Sequence, residues 1–233
     1  MNRDFNINRL ERYLTICNAS RIEPIIILSK IDLIEESELK ELLTQVQKRI
    51  KHVPLISLSN QSQIGVDQIK TLLIRGKTYC LLGSSGVGKS TLINSIVGDQ
   101  LVKTGSISES IGRGKHVTTH RELMVLEKGI LIDNQGMREI CISESVYGFE
   151  MTFDEIFNLA QYCRYNDCTH TIECGCAVLM ALDNDDLNPD SYENFLKMEK
   201  ERKHFESNAQ ERKKKDKDLG KLIKNMKKNN KKY

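Results

Sequence analysis

The chain has 233 residues, 39% of them hydrophobic, which is enough to bury one full domain and a small second one. No apolar run reaches the 18 or so residues of a membrane span, and the opening "MNRDFNINRL" lacks the apolar stretch of a secretion signal, so the chain reads as cytosolic with no membrane partner. The net charge of +3 is uneven: from Arg212 to Tyr233 eleven Lys or Arg stand against Asp216 and Asp218, a tail of about +9 on a body of about −6, which suggests a polyanionic partner such as a nucleic acid.

In chain order, "NINRLERYLTICNAS" sets Ile7, Leu10, Leu14 and Cys17 at helical spacing, and "EPIIILS" is a short apolar run that reads as a buried strand. The alternation continues with "ESELKELLTQVQKRI" as an amphipathic helix, "VPLISLS" as a strand and "GVDQIKTLLI" as a helix. It goes on with "KTYCLLG" as a strand ending in glycine and "KSTLINSIVG" as a helix. "HRELMVLEKGILIDNQG" has the pattern of a strand hairpin, and "TFDEIFNLAQYC" returns to helix. Strands alternating with helices predict an α/β fold, a mainly parallel sheet with helices on both faces.

"GSSGVGKST", residues 83–91, satisfies G-x-x-x-x-G-K-[ST] between a predicted strand and a predicted helix. Gly83, Gly86 and Gly88 let the backbone of this loop, with Ser84, Ser85 and Val87, turn its N–H groups toward phosphates. Lys89 would reach the outer phosphates, and Ser90, followed by Thr91, would ligate magnesium at a helix N-terminus. Downstream, "LIDNQGMRE" offers Asp133 and Gly136 in D-x-x-G spacing, with Asp133 placed to hold magnesium through water and the Gly136 N–H to approach the terminal phosphate.

Upstream of the loop, "SKID" places Ser29, Lys30, Ile31 and Asp32 at the end of a strand. The Asp32 carboxylate can accept from both the ring N–H and the exocyclic amine of guanine, whereas adenine presents a bare ring nitrogen there, so the motif selects GTP over ATP. Lys30 would lie along the base. A following stretch, "SLSNQSQIG", could bring a backbone or serine group to the guanine carbonyl. The base motif thus precedes the phosphate loop, the reverse of the usual order. A sheet domain can be cut at a surface connection and rejoined elsewhere without moving a strand, so a circular permutation leaves the pocket intact.

Four of the seven cysteines, Cys163, Cys168, Cys174 and Cys176, crowd into fourteen residues beside His170, a pattern that in a reducing compartment favours metal ligation over disulfides. Cys17, Cys80 and Cys141 read as small buried hydrophobes.

Base motif, phosphate loop, D-x-x-G and then a Cys/His cluster is an order that resembles the circularly permuted GTPases of the RsgA type, which act in small ribosomal subunit biogenesis. The pieces that carry the resemblance are "DFNINRLERYL", "GSSGVGKSTLIN", "GRGKHVTTHREL" and "CRYNDCTHTIECGCAV", within a match from about Asp4 to about Glu201. The resemblance implies a permuted P-loop GTPase domain over residues 1–148, a helical zinc-binding domain over 149–205 and a basic tail over 206–233. It implies GTP bound with Mg2+ and hydrolysed to GDP in a monomer on the small ribosomal subunit and its rRNA. It also implies one structural zinc on Cys163, Cys168, His170 and Cys176, in the family's C-x4-C-x-H-x5-C pattern, where three thiolates and an imidazole close a tetrahedral site. In the switch segment it implies Thr118 as a magnesium ligand and His116 as the group that positions the attacking water. The glutamine of Ras-like enzymes is absent, since Met137 follows Gly136.

The chain departs from the family pattern at Ser29, where Asn or Thr is usual, at Val117 in "HVTT", at Asn134 and Gln135 in place of "TP", and at Asn60 in place of alanine. Cys174 stands where the family often has proline. Family members also carry an N-terminal OB-fold and a strand before the first helix. Without that strand the sheet is expected to have a gap between the phosphate-loop strand and "IIILSK", as in a fragment, a truncated gene model or one piece of a split protein. A nucleotide-holding RNA- or ribosome-binding module without turnover is the alternative function, and an ATPase or kinase would require Asp32 to be incidental.

Overall fold

A computed structural model describes residues 5–98, 121–134 and 146–206. The chain divides into two compact units, one of residues 1–13 and 23–140, the other of residues 14–22 and 141–233. Helix α1 (Ile7–Ala19) contributes its first half to the first unit and its second half to the other.

The first unit alternates as the apolar pattern predicts. β1 (Ile26–Ser29) leads through a single 3-10 turn (Ile31–Leu33) to α2 (Glu36–Arg49), then come β2 (Leu55–Leu58), α3 (Val66–Leu72), β3 (Thr78–Leu81) and α4 (Lys89–Val97). Acidic residues open α2 (Glu36, Glu38) and basic residues close it (Lys48, Arg49), which complements the helix dipole at both ends. β4 (Arg121–Leu126) and β5 (Gly129–Asn134) form the expected hairpin, antiparallel with Leu123 opposite Ile132.

The sheet is in two pieces. β1 pairs in parallel with β2, Ile26 opposite Leu55, and a separate sheet runs in the order β3-β5-β4, with β3 parallel to β5 and Leu81 opposite Asp133. Among the described residues no strand pairs with the outer edge of β1 or of β3, so the single parallel sheet read from the alternation is interrupted there. Helix α4 supports both pieces. Its Leu92 packs with Ile56, Leu58, Val66 and Ile69, while Ile93 packs on Leu131 with Tyr79 and Leu81 beside it. Cys80 lies on the opposite face of β3 and is exposed, not buried as its residue type suggested, because its two neighbours in the strand take the core-facing positions.

Two close approaches position the site. Gly65, at φ 79°, caps α3 against β2, where a Cβ would lie 2.2 Å from the Ser57 carbonyl oxygen, so only glycine fits. A buried ion pair fixes the start of α1 on the end of α2: Arg49 donates Nε and Nη2 to the Glu11 carboxylate at 3.1 and 2.6 Å, and Nη2 also to Asn8 Oδ1 at 2.7 Å.

The second unit packs α5 (Val146–Thr152), α6 (Asp154–Ala160), α7 (Ala177–Asp183) and the helical residues 189–206, α8, around one core. Phe149, Phe153 and Phe195 interlock there with ring centroids 5.0 to 5.5 Å apart. The second half of α1 joins through Thr15 and Asn18, both hydrogen bonded to Thr152 Oγ1, at a point where Gly148 lets the backbones meet. Among the described residues no helix is long and apolar enough to cross a membrane.

Candidate functional site: a phosphate loop, a base-reading loop and a Cys3His cluster

The phosphate loop joins β3 to α4, as its sequence predicts. Gly86 and Gly88 hold φ of 81° and 95°, a backbone region costly for any residue with a Cβ, and these turns aim successive N–H groups into one concavity at the start of α4. Gly88 is also pressed by a neighbour, since a Cβ there would meet Asn60 Nδ2 at 3.1 Å. Lys89 folds over the loop and donates Nζ to the carbonyls of Gly83 at 2.7 Å and Ser84 at 2.9 Å. Burial lowers the Lys89 ammonium below its ordinary pKa, and the charge of Asp133 works against that shift. Asp133, fully buried at the end of β5, is therefore in the electrostatic reach of the loop lysine, as a loop-plus-carboxylate site requires. The oxygen donors a magnesium ion would take from this loop and strand, the Ser90 hydroxyl and the Asp133 carboxylate, are hard ligands that suit that ion chemically.

The base motif approaches the same loop. The Ser29 hydroxyl donates to the Val87 carbonyl at 2.7 Å, tying the end of β1 to the phosphate loop. Lys30 adopts a left-handed conformation, φ 63°, which turns the chain so that Ile31 and Asp32 enter the 3-10 turn with Asp32 exposed. Ser59, fully buried after β2, donates its hydroxyl to Asp32 Oδ1 at 2.5 Å while accepting from the Ser62 N–H at 3.1 Å. Asn60 donates Nδ2 to the Gly88 carbonyl at 3.3 Å, and its buried Oδ1 has no hydrogen-bond partner among the described residues. Ser29 and Asn60, two departures from the family pattern, thus bond to adjacent carbonyls of one loop. Arg9 reaches the loop through Ser84, and neither it nor the Ser59–Asp32 contact was given a part in the site by the motifs.

Thr118, His116 and Gly136 lie outside the described residues, as do Val117, Gln135, Met137 and the basic tail from residue 207 on.

In the second unit, Cys163, Cys168, His170 and Cys176 bring their ligand atoms within 4.8 Å of one another. Cys163 Sγ lies 3.8 Å from Cys176 Sγ, and His170 Nδ1 lies 3.6 Å from Cys163 Sγ and 3.5 Å from Cys176 Sγ. Zinc with bonds of about 2.3 Å to sulfur and 2.0–2.1 Å to nitrogen holds tetrahedral ligand atoms about 3.5–3.8 Å apart, so the cluster fits that ion. Desolvation, together with the neighbouring Cys176 and Cys163, pushes the Cys168 thiol up to about 11. Cys174 is exposed and outside the cluster.

The loop carrying the ligands is shaped by one carboxylate. Glu173 accepts from the Thr169 hydroxyl, from the Thr169 N–H at 2.8 Å, and from the Thr171 and Ile172 N–H groups at 3.0 and 3.1 Å. These bonds, the Thr169 hydroxyl first, hold its carboxyl well below the usual range. Tyr192 on α8 donates its hydroxyl to the His170 carbonyl at 2.5 Å, tying the left-handed His170 (φ 60°) to the helical core.

A family model described as RsgA GTPase matches residues 1–143. The chain is 46% identical over 202 residues to small ribosomal subunit biogenesis GTPase RsgA 2 of Listeria monocytogenes, covering 86% of this chain and 58% of that one. It is 37% identical over 227 residues to the protein of the same name from Vibrio vulnificus, covering 97% and 64%. The chain therefore spans about three fifths of the length of these relatives. Its fold resembles the crystal structure of YjeQ from Thermotoga maritima, with a TM-score of 0.61 at 25% identity over 83% of this chain and 65% of that one. It also resembles that of YloQ, a circularly permuted GTPase, with a TM-score of 0.61 at 23% identity over 86% and 64%. With the G-x-x-x-x-G-K-S loop, the "SKID" motif ahead of it and a family model matching more than half its length, the chain belongs to the RsgA GTPase family.

Proposed function

We propose that this chain binds GTP with Mg2+, hydrolyses it to GDP and phosphate on the small ribosomal subunit, and assists the late maturation of that particle in the cytoplasm. The observation that carries the reading is the convergence on one loop of Lys89 from α4, the charge of Asp133 from β5, and hydrogen bonds from Ser29, three residues before Asp32, and from Asn60, next to the Ser59 that holds Asp32. Magnesium, held by Ser90 and Asp133 with Thr118, would neutralise charge on the phosphates. Lys89 would exchange the Gly83 and Ser84 carbonyls for phosphate oxygens, a stronger pairing for an ammonium that burial already disfavours. His116 would position water, and Gly136 would meet the terminal phosphate.

Residues 1–148 would form the nucleotide domain. Residues 149–205 would form a module folded around zinc on Cys163, Cys168, His170 and Cys176, and 206–233 a basic tail that contacts rRNA, with the chain acting as a monomer. Its affinity for RNA would then fall steeply with salt and less steeply after deletion beyond Glu211.

The test is GTP turnover by the purified chain at physiological magnesium, with and without small ribosomal subunits, beside Lys89→Ala. Stimulated turnover lost in that variant supports the reading. Binding without turnover favours instead a nucleotide-holding ribosome-binding module, which Met137 in place of glutamine and the altered "HVTT" and "DNQG" also fit. Tighter binding of ATP than GTP would remove Asp32 from its role.

A further inference from the structure

Arg9 lies within the "DFNINRLERYL" stretch, which gives it no role at the phosphate loop it contacts. It stands on α1 and donates Nη1 to the hydroxyl of Ser84, the second residue of the phosphate loop. Lys89 Nζ donates to the carbonyl of the same residue at 2.9 Å, so two cationic side chains lie within a hydrogen bond of Ser84. Both of the acceptors they meet there are neutral. A guanidinium has five donors in a planar fork, and this half-buried one, whose side chain bonds a hydroxyl, meets among the described residues no anion that would compensate for its lost hydration. The polar groups that could neutralise it nearby are committed elsewhere. Glu11 takes Arg49 on both carboxylate oxygens, and Asn8 takes the same guanidinium. Residue 9 is directed away from that pair by roughly a third of a helical turn or more, which follows from the 3.6-residue period. The Glu11–Arg49 pair therefore anchors α1 on α2 and leaves Arg9 to face the loop.

The geometry points to Arg9 as a second phosphate-binding side chain, one that exchanges the Ser84 hydroxyl for oxygens of the terminal phosphate of a bound nucleoside triphosphate. This rests on the GTP-binding reading above. A planar fork is suited to two phosphate oxygens at once, and an arginine supplied from within the chain can meet charge at a site where Met137 occupies the place of the Ras-like glutamine. The consequence is discrimination. Arg9 adds affinity for GTP, with its extra phosphate charge, over GDP, in addition to what Lys89 and magnesium provide.

The experiment is equilibrium binding of GDP and of a non-hydrolysable GTP analogue, each with Mg2+, to the chain as given, to Arg9→Ala and to Arg9→Lys. The expected result is that Arg9→Ala weakens the triphosphate analogue by about tenfold or more, the scale of one hydrogen bond to a charged group, with GDP affinity changed less than twofold. Arg9→Lys should recover part of the loss, since it keeps the charge without the fork. GDP affinity serves as the measure of an intact fold in both variants. Equal loss for both nucleotides, or no loss for either, would overturn the role of Arg9 while leaving GTP binding in place. Failure of the parent chain to bind either nucleotide would overturn the GTP-binding reading, and this inference with it.

Discussion

The Ser59 hydroxyl donates to the Asp32 carboxylate at 2.5 Å and cannot easily turn away, because its own oxygen accepts the Ser62 N–H at 3.1 Å. Asp32 is exposed while Ser59 is fully buried, so a rigid group beneath the surface sets the direction of a carboxylate that would otherwise rotate in water. Removing that constraint makes binding of the base pay for ordering Asp32. Ser59→Ala is expected to weaken GDP binding by about tenfold, close to 1.5 kcal/mol, the lower end for a hydrogen bond to a charged group. A titration with a fluorescent GDP derivative reads this directly, and an affinity within twofold of the parent would show that Asp32 is oriented without Ser59.

Asp32 itself makes a prediction about chemistry. A carboxylate accepts from two donors on the edge of guanine, whereas an amide at the same place offers one acceptor and one donor group. Xanthine carries a carbonyl where guanine has its amine, so Asp32→Asn should lose affinity for GDP by about a hundredfold and gain affinity for xanthosine diphosphate. Competition between the two nucleotides measures the switch. If Asp32→Asn lowered both affinities alike, Asp32 would be a structural partner of Ser59 and not the reader of the base.

The motifs that could be read from the sequence are those whose partners are neighbours in the chain. The phosphate loop is one turn between a strand and a helix, and the hairpin of β4 and β5 closes over Glu127 and Lys128. The Cys3His cluster gathers its four ligands from fourteen residues. Contacts between distant segments left no such trace. Arg9 with Ser84, Ser59 with Asp32 and Asn60 with Gly88 span 75, 27 and 28 residues, and nothing in "NR", "LSN" or "VGK" says that these pieces meet. The place of Asn60 was noticeable as a departure from the family pattern, but its reason lies in a buried amide against a glycine carbonyl. The interruption between β1 and β3 could be expected only from the family resemblance, because the alternation of strands and helices by itself specifies elements and not which edges pair.

Glu173 ties the Cys3His loop of the second unit together through four hydrogen bonds, to the backbone N–H groups of Thr169, Thr171 and Ile172 and to the Thr169 hydroxyl. It touches no cluster atom, yet it sets the path between Cys168, His170 and Cys176. Glu173→Ala should leave the ligands chemically intact and speed transfer of bound zinc to a coloured chelator by about tenfold, while Cys176→Ser should remove stoichiometric zinc altogether. Chelation should also abolish the cooperative melt of the second unit, since Cys176 is part of its hydrophobic core as well as of the Cys3His cluster. Metal release from Glu173→Ala at the parent rate would mean that the Cys3His geometry is held by the helical core and Tyr192 alone.

Glu11 and Arg49 are an ion pair with side chains only 2% and 6% exposed, linked by two hydrogen bonds, and their value lies in position more than in net stability. Two charges taken out of water cost nearly what they regain from each other, whereas removing one leaves the other uncompensated in a dry setting. Glu11→Ala is therefore expected to destabilise the first unit by about 3–5 kcal/mol, and Glu11→Met combined with Arg49→Met to restore most of that loss. Denaturant unfolding of the two variants measures the difference. The functional readout separates the roles. The double variant keeps a packed interface between α1 and α2 but lacks the rigid fork that orients α1, so it should fold yet bind the triphosphate less selectively over GDP than the parent does. If the double variant kept full selectivity, hydrophobic packing alone would be enough to place Arg9 against Ser84.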